Sequence, residues 1–208
     1  MLGFNLTPEQ EALKQTARDF ARNEIIPVAA EFDEKEEFPH ELMKKAWEVG
    51  LLNFEVPESY GGLGLGVLDT ILCLEEINYG CAGVGTICSV NDLASTPLLL
   101  AGNDDQKKEY FGRLMAEPCY AAYALTEPGA GSDAANLSTT YVDDGDSYVL
   151  NGSKVFISSA SVSNWMTVFA TGDKSLGHRG ISCFVMDTDT PGCTTTKMLG
   201  KLGHRASD

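Results

Sequence analysis

The sequence predicts an α+β protein: an all-α N-terminal helical domain over residues 1–117, then an antiparallel β-sandwich or barrel domain over residues 118–208. Three observations predict it. Up to Glu117 the apolar residues recur at helical spacing. Beyond Pro118 they gather into short β-branched and aromatic runs separated by turn signals. The composition changes at the same point, from 21 acids, 9 bases and 8 Ser/Thr before it to 9, 6 and 21 after it.

Thr7-Pro8-Glu9-Gln10 combines an N-cap hydroxyl, a proline at the first helical position and a glutamine at N3, which starts a helix. That helix puts Leu13, Ala17, Phe20, Ala21 and Ile25 on one face, and Pro27 should kink or end it. A second helix starts at Pro39, buries Leu42, Met43, Ala46 and Trp47, and stops at Gly50. The run Val67 to Tyr79 is apolar on most sides, as in a helix buried within a bundle. Another helix covers Val84 to Ala101, its regularity broken at Pro97. Asp104 or Asp105 caps a last helix ending near Met115. Strands are expected at 119–126, 138–142, 148–150, 154–158, 165–171 and 181–187. Asp143-Asp144-Gly145-Asp146, Asn151-Gly152 and Pro191-Gly192 mark the turns.

A formal charge of −15 repels a phosphate backbone and argues against a nucleic-acid binder. Neither an apolar run approaching the ~18–20 residues of a membrane span nor a secretory leader over Met1–Gln10 is read, so localisation is expected to be cytoplasmic, or the mitochondrial matrix in a eukaryote. Cys73, Cys81, Cys88, Cys119, Cys183 and Cys193 contain no C-x-x-C pair, and His40, His178 and His204 lie far apart. No metal site is expected.

Tyr60-Gly61-Gly62-Leu63-Gly64-Leu65-Gly66 fits neither dinucleotide nor Walker spacing and reads as a plain loop. Tyr123-Ala124-Leu125-Thr126-Glu127-Pro128-Gly129-Ala130-Gly131-Ser132-Asp133 is a strand entering a tight, small-residue loop. Such a loop lets backbone N–H groups approach a flat or anionic ligand, or it is an ordinary strand end. In Lys154-Val155-Phe156-Ile157-Ser158-Ser159, strand alternation puts Phe156 and Ser158 on one side. That pair suits either a ligand ring and its edge, or a core aromatic beside a surface hydroxyl.

With PESYGGLG at 57–64, AGNDDQKKEYFGRL at 101–114 and GISCFVMDTDTPG at 180–192, these strings resemble the acyl-CoA dehydrogenase family, most closely its short- and medium-chain members. The resemblance implies FAD as cofactor, an acyl-CoA substrate, an electron-transfer flavoprotein as partner, and a homo-oligomer for the full-length form. It implies that Tyr123, Leu125 and Thr126 line the flavin ring, with Phe156 against the isoalloxazine where many relatives have Trp. Ser158 is implied to bond flavin N5, Gly131 and Ile157 to complete the cofactor set, and Ser132 to reach both cofactor and CoA. Gly85 and Ser89 replace bulkier polar residues of medium-chain relatives, implying a roomier acyl pocket.

In the family the catalytic glutamate lies in a C-terminal helical domain, whereas this sequence ends at Arg205-Ala206-Ser207-Asp208 within a segment resembling the β domain. No catalytic residue is therefore assigned, and the 208-residue chain is expected to be catalytically incompetent alone. The competing expectations are an oxygen-using flavoenzyme of the same fold (an acyl-CoA oxidase or flavin monooxygenase) and a non-catalytic remnant that binds flavin or CoA.

Overall fold

A computed structural model describes residues 5–208. The first residues read for a leader, Met1–Phe4, lie outside the described part. Helix α1 (Pro8–Phe20) opens on Thr7 with the expected reciprocal cap to Gln10. Pro27 does not end the helical path. A π-helical turn at Ala21–Ile25 intervenes, and α2 (Ile26–Lys35) begins with Pro27 in its first turn, where a missing N–H costs nothing. Ala17, Phe20, Ala21 and Ile25 are buried along this face, and Leu13 packs at its edge.

Helix α3 (His40–Glu48) buries Leu42, Met43 and Ala46 and stops as expected, with Gly50 at φ 75°. Gly50 and Leu51 donate back to the carbonyls of Trp47 and Ala46, the paired bonds that close a helix C-terminus. Trp47 is half-buried, and its indole donates to Leu114 O at 2.9 Å. Helix α4 (Val67–Gly80) departs from expectation, because only one side is covered. Thr70, Leu72, Cys73, Glu76 and Ile77 are buried, whereas Val67, Leu68, Ile71 and Tyr79 are exposed. Helix α5 (Ala82–Ala101) continues through Pro97, which forfeits the one bond its missing N–H would make to Leu93 O. Helix α6 (Asp104–Ala116) is capped by Asn103 with Gln106, one residue earlier than read.

At 20 residues, α5 is long and apolar enough to cross a membrane, contrary to the sequence reading. More than half of it is buried inside the protein, and it carries Asn91, Asp92 and Ser95 in its buried face. It is the central helix of the domain, packed on α4 and on the sheet.

The helices are followed by β1 (Ala121–Ala124), β2 (Thr140–Asp143), β3 (Tyr148–Asn151), β4 (Trp165–Thr171) and β5 (Ile181–Asp187). The α-then-β order is as expected, but the sheet is mixed. β4 pairs antiparallel with β5 along its whole length. Along its other edge it pairs in parallel with β1 at 165–168 and with β2 at Thr171. β2 and β3 form an antiparallel hairpin. The long connection between β1 and β4 is what permits a parallel pair, since a tight turn allows only antiparallel ones. One face of β1 and β4 meets the helices through Ala121 and Trp165, the latter beside the Tyr110 ring at 5.1 Å. The opposite face carries Ala122, Ala124, Met166 and Val168 and borders an open cavity of about 1240 Å³.

Segment 154–158 forms no strand. Val155 N–H donates to Thr126 O, and just beyond the segment Ser159 N–H donates to Asp208 O and Ala160 N–H to Ile157 O, unrelated partners in place of a ladder. Phe156 and Ser159 take φ of 58° and 61°, a left-handed backbone that breaks strand alternation.

Asp92 is buried and accepts the N–H groups of Phe54 and Glu55 at 3.2 and 3.0 Å. Burial pushes its carboxyl up to about 7 from 3.8, against the pull of those donors. The folded chain therefore holds a proton that the unfolded chain releases near 3.8, so stability falls as pH rises from about 4 to 7. Denaturant titrations across pH 5–8 are expected to show this decline, on the order of 2 kcal/mol. Asp92→Asn is expected to flatten it, and an equal slope in the variant would contradict the assignment.

Candidate functional site

The chain leaves β1 at Ala124 and turns through Leu125-Thr126 into a tight loop closed by reciprocal backbone bonds between Glu127 and Ala130. Glu127 turns inward. Its carboxylate accepts the N–H groups of Ser138 and Thr139 and an N–H of the Lys154 ammonium at 2.8 Å. Lys154 also donates to Leu125 O at 3.1 Å. Both side chains are buried, so this ion pair fastens segment 154–158 to the end of β1. Burial alone would raise the Glu127 carboxyl. The Lys154 ammonium, Thr139 and Ser138 outweigh it and hold the group down at about 2.

The fastening shapes a cleft of about 280 Å³ between the helical and β parts. Val90 and Leu93 of α5 form one wall, and Tyr123, Thr126, Phe156 and Ser158 form the other. Phe156 is 73% exposed despite its strained backbone, and the Tyr123 ring rests against Phe169 at 5.1 Å. The carbonyls of Leu125 and Thr126 are engaged by Lys154 and Val155, which leaves the Thr126 hydroxyl as that residue's offering to the cleft. An aromatic surface, an aliphatic wall and two hydroxyls suit a flat conjugated ligand with a polar edge.

The structure thus brings together Tyr123, Thr126, Phe156 and Ser158. Leu125 adjoins them through the backbone. Ile157 lines the larger cavity and packs against the other face of the sheet, and Phe156 and Ser158 stand between the two, bordering both. Gly131 and Ser132 sit on an exposed loop outside the cleft lining. Gly85 leaves no open space, because a Cβ there would meet the Asn78 carboxamide at 2.3 Å. The absent side chain admits close packing of α4 on α5, which counters the reading of a roomier pocket at that position. Sequence reasoning missed Val90 and Leu93, and it missed the Glu127–Lys154 pair. The available signal for the first was the polar pair Asn91-Asp92 interrupting an apolar helix. No local signal ties Glu127 to Lys154 across so long a separation.

The family model "Acyl-CoA dehydrogenase, N-terminal domain" matches residues 7–118, and "Acyl-CoA dehydrogenase, middle domain" matches residues 122–208. The chain belongs to the acyl-CoA dehydrogenase family. It is 43% identical over 203 residues to the mitochondrial short-chain specific acyl-CoA dehydrogenase of Rattus norvegicus, covering 97% of this chain and 49% of that protein. Among solved structures it is similar to butyryl-CoA dehydrogenase from Megasphaera elsdenii, with a TM-score of 0.92 at 34% identity over 99% of this chain and 55% of the other. It is also similar to the prolyl acyl carrier protein oxidase AnaB, with a TM-score of 0.90 at 33% identity over 98% of this chain and 55% of the other. The chain spans about half the length of the relatives it matches.

Because Glu127 is held near 2 and titrates near 4.5 when unfolded, its contribution is complete above 4.5 and lost as pH falls toward 2. Lys154→Met leaves that carboxylate buried without its cation and is expected to cost about 3–5 kcal/mol in urea denaturation at pH 7. Glu127→Gln is expected to abolish the acid-side loss. A Lys154→Met variant as stable as wild type would show that the pair is not the fastening.

Proposed function

We propose that these residues are the cofactor- and substrate-facing part of an FAD-dependent enzyme that oxidises acyl-CoA thioesters to their α,β-enoyl forms, in fatty-acid or branched-chain catabolism. The observation that carries this reading is the convergence of Tyr123, Thr126, Phe156 and Ser158 on one cleft against α5. The residues fit a flavin ring: an exposed phenyl face held in a left-handed backbone, an aliphatic wall opposite, and hydroxyls at the polar edge. When bound, FAD supplies the acceptor for the hydride leaving the acyl chain. On this reading Phe156 covers the ring, and Thr126 and Ser158 orient its polar edge by hydrogen bonding. Leu125 and Ile157 flank that surface, and Ser132 and Gly131, on their exposed loop, meet the CoA and cofactor phosphates. The boundary between the two domains falls at Glu117-Pro118.

Removing the α-proton needs a carboxylate base beside the substrate. No residue of this chain is assigned that role, and we infer that it is supplied from outside these 208 residues. Two observations support the inference: the relatives are about twice as long, and Val67, Leu68, Ile71, Leu93 and Leu100 stand exposed on α4 and α5. An apolar face beyond the ~300–600 Å² usual for a monomer would make the isolated chain poorly soluble and its flavin binding weak. The proposed partners are acyl-CoA, an electron-transfer flavoprotein and further copies of the full-length subunit, in the cytoplasm or mitochondrial matrix. Similarity to an oxidase favours a second reading, in which molecular oxygen reoxidises the flavin.

Titrating the chain with FAD is expected to quench flavin fluorescence weakly but saturably, and Phe156→Ala is expected to weaken binding roughly 2–10-fold. Absence of saturable quenching would overturn the flavin reading. The chain alone is expected to give no turnover with butyryl-CoA and a dye acceptor, and measurable turnover would overturn the external base. In a full-length form, rapid reoxidation of substrate-reduced flavin by air would favour the oxidase reading.

A further inference from the structure

The seam between α5 and β1 is bridged by a buried carboxamide, that of Asn91. Asn91 is 2% exposed and uses three of its carboxamide's hydrogen-bonding positions. Its Oδ1 accepts the Ala121 N–H at 2.8 Å, while its Nδ2 donates to Cys119 O at 2.9 Å and to Asn53 Oδ1 at 2.8 Å. Cys119 C=O and Ala121 N–H flank Tyr120, and in a parallel sheet those are the two groups that one residue of a neighbouring strand would bond. On its other edge the chain is held at Tyr120 by Asn164, whose Oδ1 accepts the Tyr120 N–H and whose N–H donates to Tyr120 O. The Asn91 side chain therefore stands in for a strand along the helix-side edge of β1.

This matters to the cleft because Asn91 lies between its two α5 residues. Val90 and Leu93 form one wall, and β1 delivers Tyr123 and then Thr126 to the other. The bonds to Cys119 and Ala121 are the polar link between the walls. Asn53, left-handed at φ 60° and 1% exposed, anchors Asn91 in turn by donating to Leu114 O at 3.0 Å. We propose that Asn91 is a positioning residue that sets the separation of the two walls, and with it the fit of a flat ligand between them. The inference rests on the flavin reading only for the identity of that ligand.

Asn91→Asp gives a test that a merely structural role would not pass. A protonated carboxyl at this position can donate to Cys119 O and accept from Ala121 N–H, keeping both bonds to the strand and giving up only the one to Asn53 Oδ1. Once ionised it can only accept, and it faces the Cys119 and Asn53 oxygens unpaired. The adjacent Asp92 ionises over the same range in both proteins, so each variant is compared with wild type at the same pH. FAD affinity, read by fluorescence quenching and visible circular dichroism of the bound flavin, is expected to stay within about threefold of wild type at pH 5, where both bonds to the strand are kept. At pH 8 it is expected to be about tenfold weaker than wild type measured at the same pH. Hydrogen exchange of the 119–126 amides should accelerate in parallel, with far-ultraviolet circular dichroism retained. Asn91→Ser, which cannot span both groups, is expected to weaken binding at both pH values. A folded Asn91→Asp variant with wild-type affinity and bound-flavin spectrum at both pH values overturns the proposal. If wild type itself does not bind FAD, the flavin reading falls and hydrogen exchange alone decides: unchanged exchange at 119–126 at pH 8 overturns the role of Asn91, and selective acceleration there upholds it.

Discussion

An apolar helix with a polar dipeptide in its buried face is the constraint on which this architecture depends. Most of α5 could be satisfied by aliphatic neighbours, but Asn91 and Asp92 cannot, because a buried polar group without partners costs more than its packing returns. Their partners come from outside the helix. Asp92 takes the N–H groups of Phe54 and Glu55, and Asn91 takes the peptide edges on either side of Tyr120 together with Asn53. Two adjacent residues thus fix where the 53–55 loop lies and where the first strand starts. Hydrophobic burial is non-directional and could not fix either. The register of β1, and hence the direction in which Tyr123 points, follows from side-chain hydrogen bonds as much as from the sheet.

A second constraint acts at the far end of β1. Segment 154–158 has no ladder to hold it, and it carries a non-glycine residue in a left-handed backbone whose aromatic ring faces solvent. Such a conformation costs about 1–3 kcal/mol and persists only where its surroundings over-determine it. The Lys154 bonds to Glu127 and Leu125, and the Val155 bond to Thr126, supply that determination. The ion pair is worth more as geometry than as net energy, since taking two charges out of water offsets much of their attraction.

Helix starts, helix stops and the two longest strands were legible because each depends on local chemistry. Thr7 with Gln10, Gly50, and the apolar runs 165–171 and 181–187 state their roles within a few residues. At Pro27 the helical path continues because a π turn just upstream adjusts the bonding, an adjustment with no simple sequence sign. Segment 154–158 has the composition of a strand and is denied that structure by partners reached only through the fold, Thr126 for Val155 and Leu125 and Glu127 for Lys154. The parallel pairing of β1 with β4 is invisible for the same reason, since it depends on a long connection and not on the strands themselves. The exposure of α4 reverses the bundle reading because apolar composition says what a helix can bury, not whether a neighbour is there to bury it.

Phe156 and Ser158 reach a common cleft although the strand alternation that grouped them is absent. A period of two would have placed them on one face of a flat ribbon. Instead the left-handed turn at Phe156 rotates the backbone, and the two side chains converge by a different route. The strand assumption behind their grouping fails, and the two side chains meet at the cleft all the same. A motif preserves which side chains must meet, and the backbone that makes them meet is set by the buried polar bonds around it, here those of Lys154, Glu127 and Asn91. Those three residues contribute no wall to the cleft, yet the positions of the walls follow from their bonds.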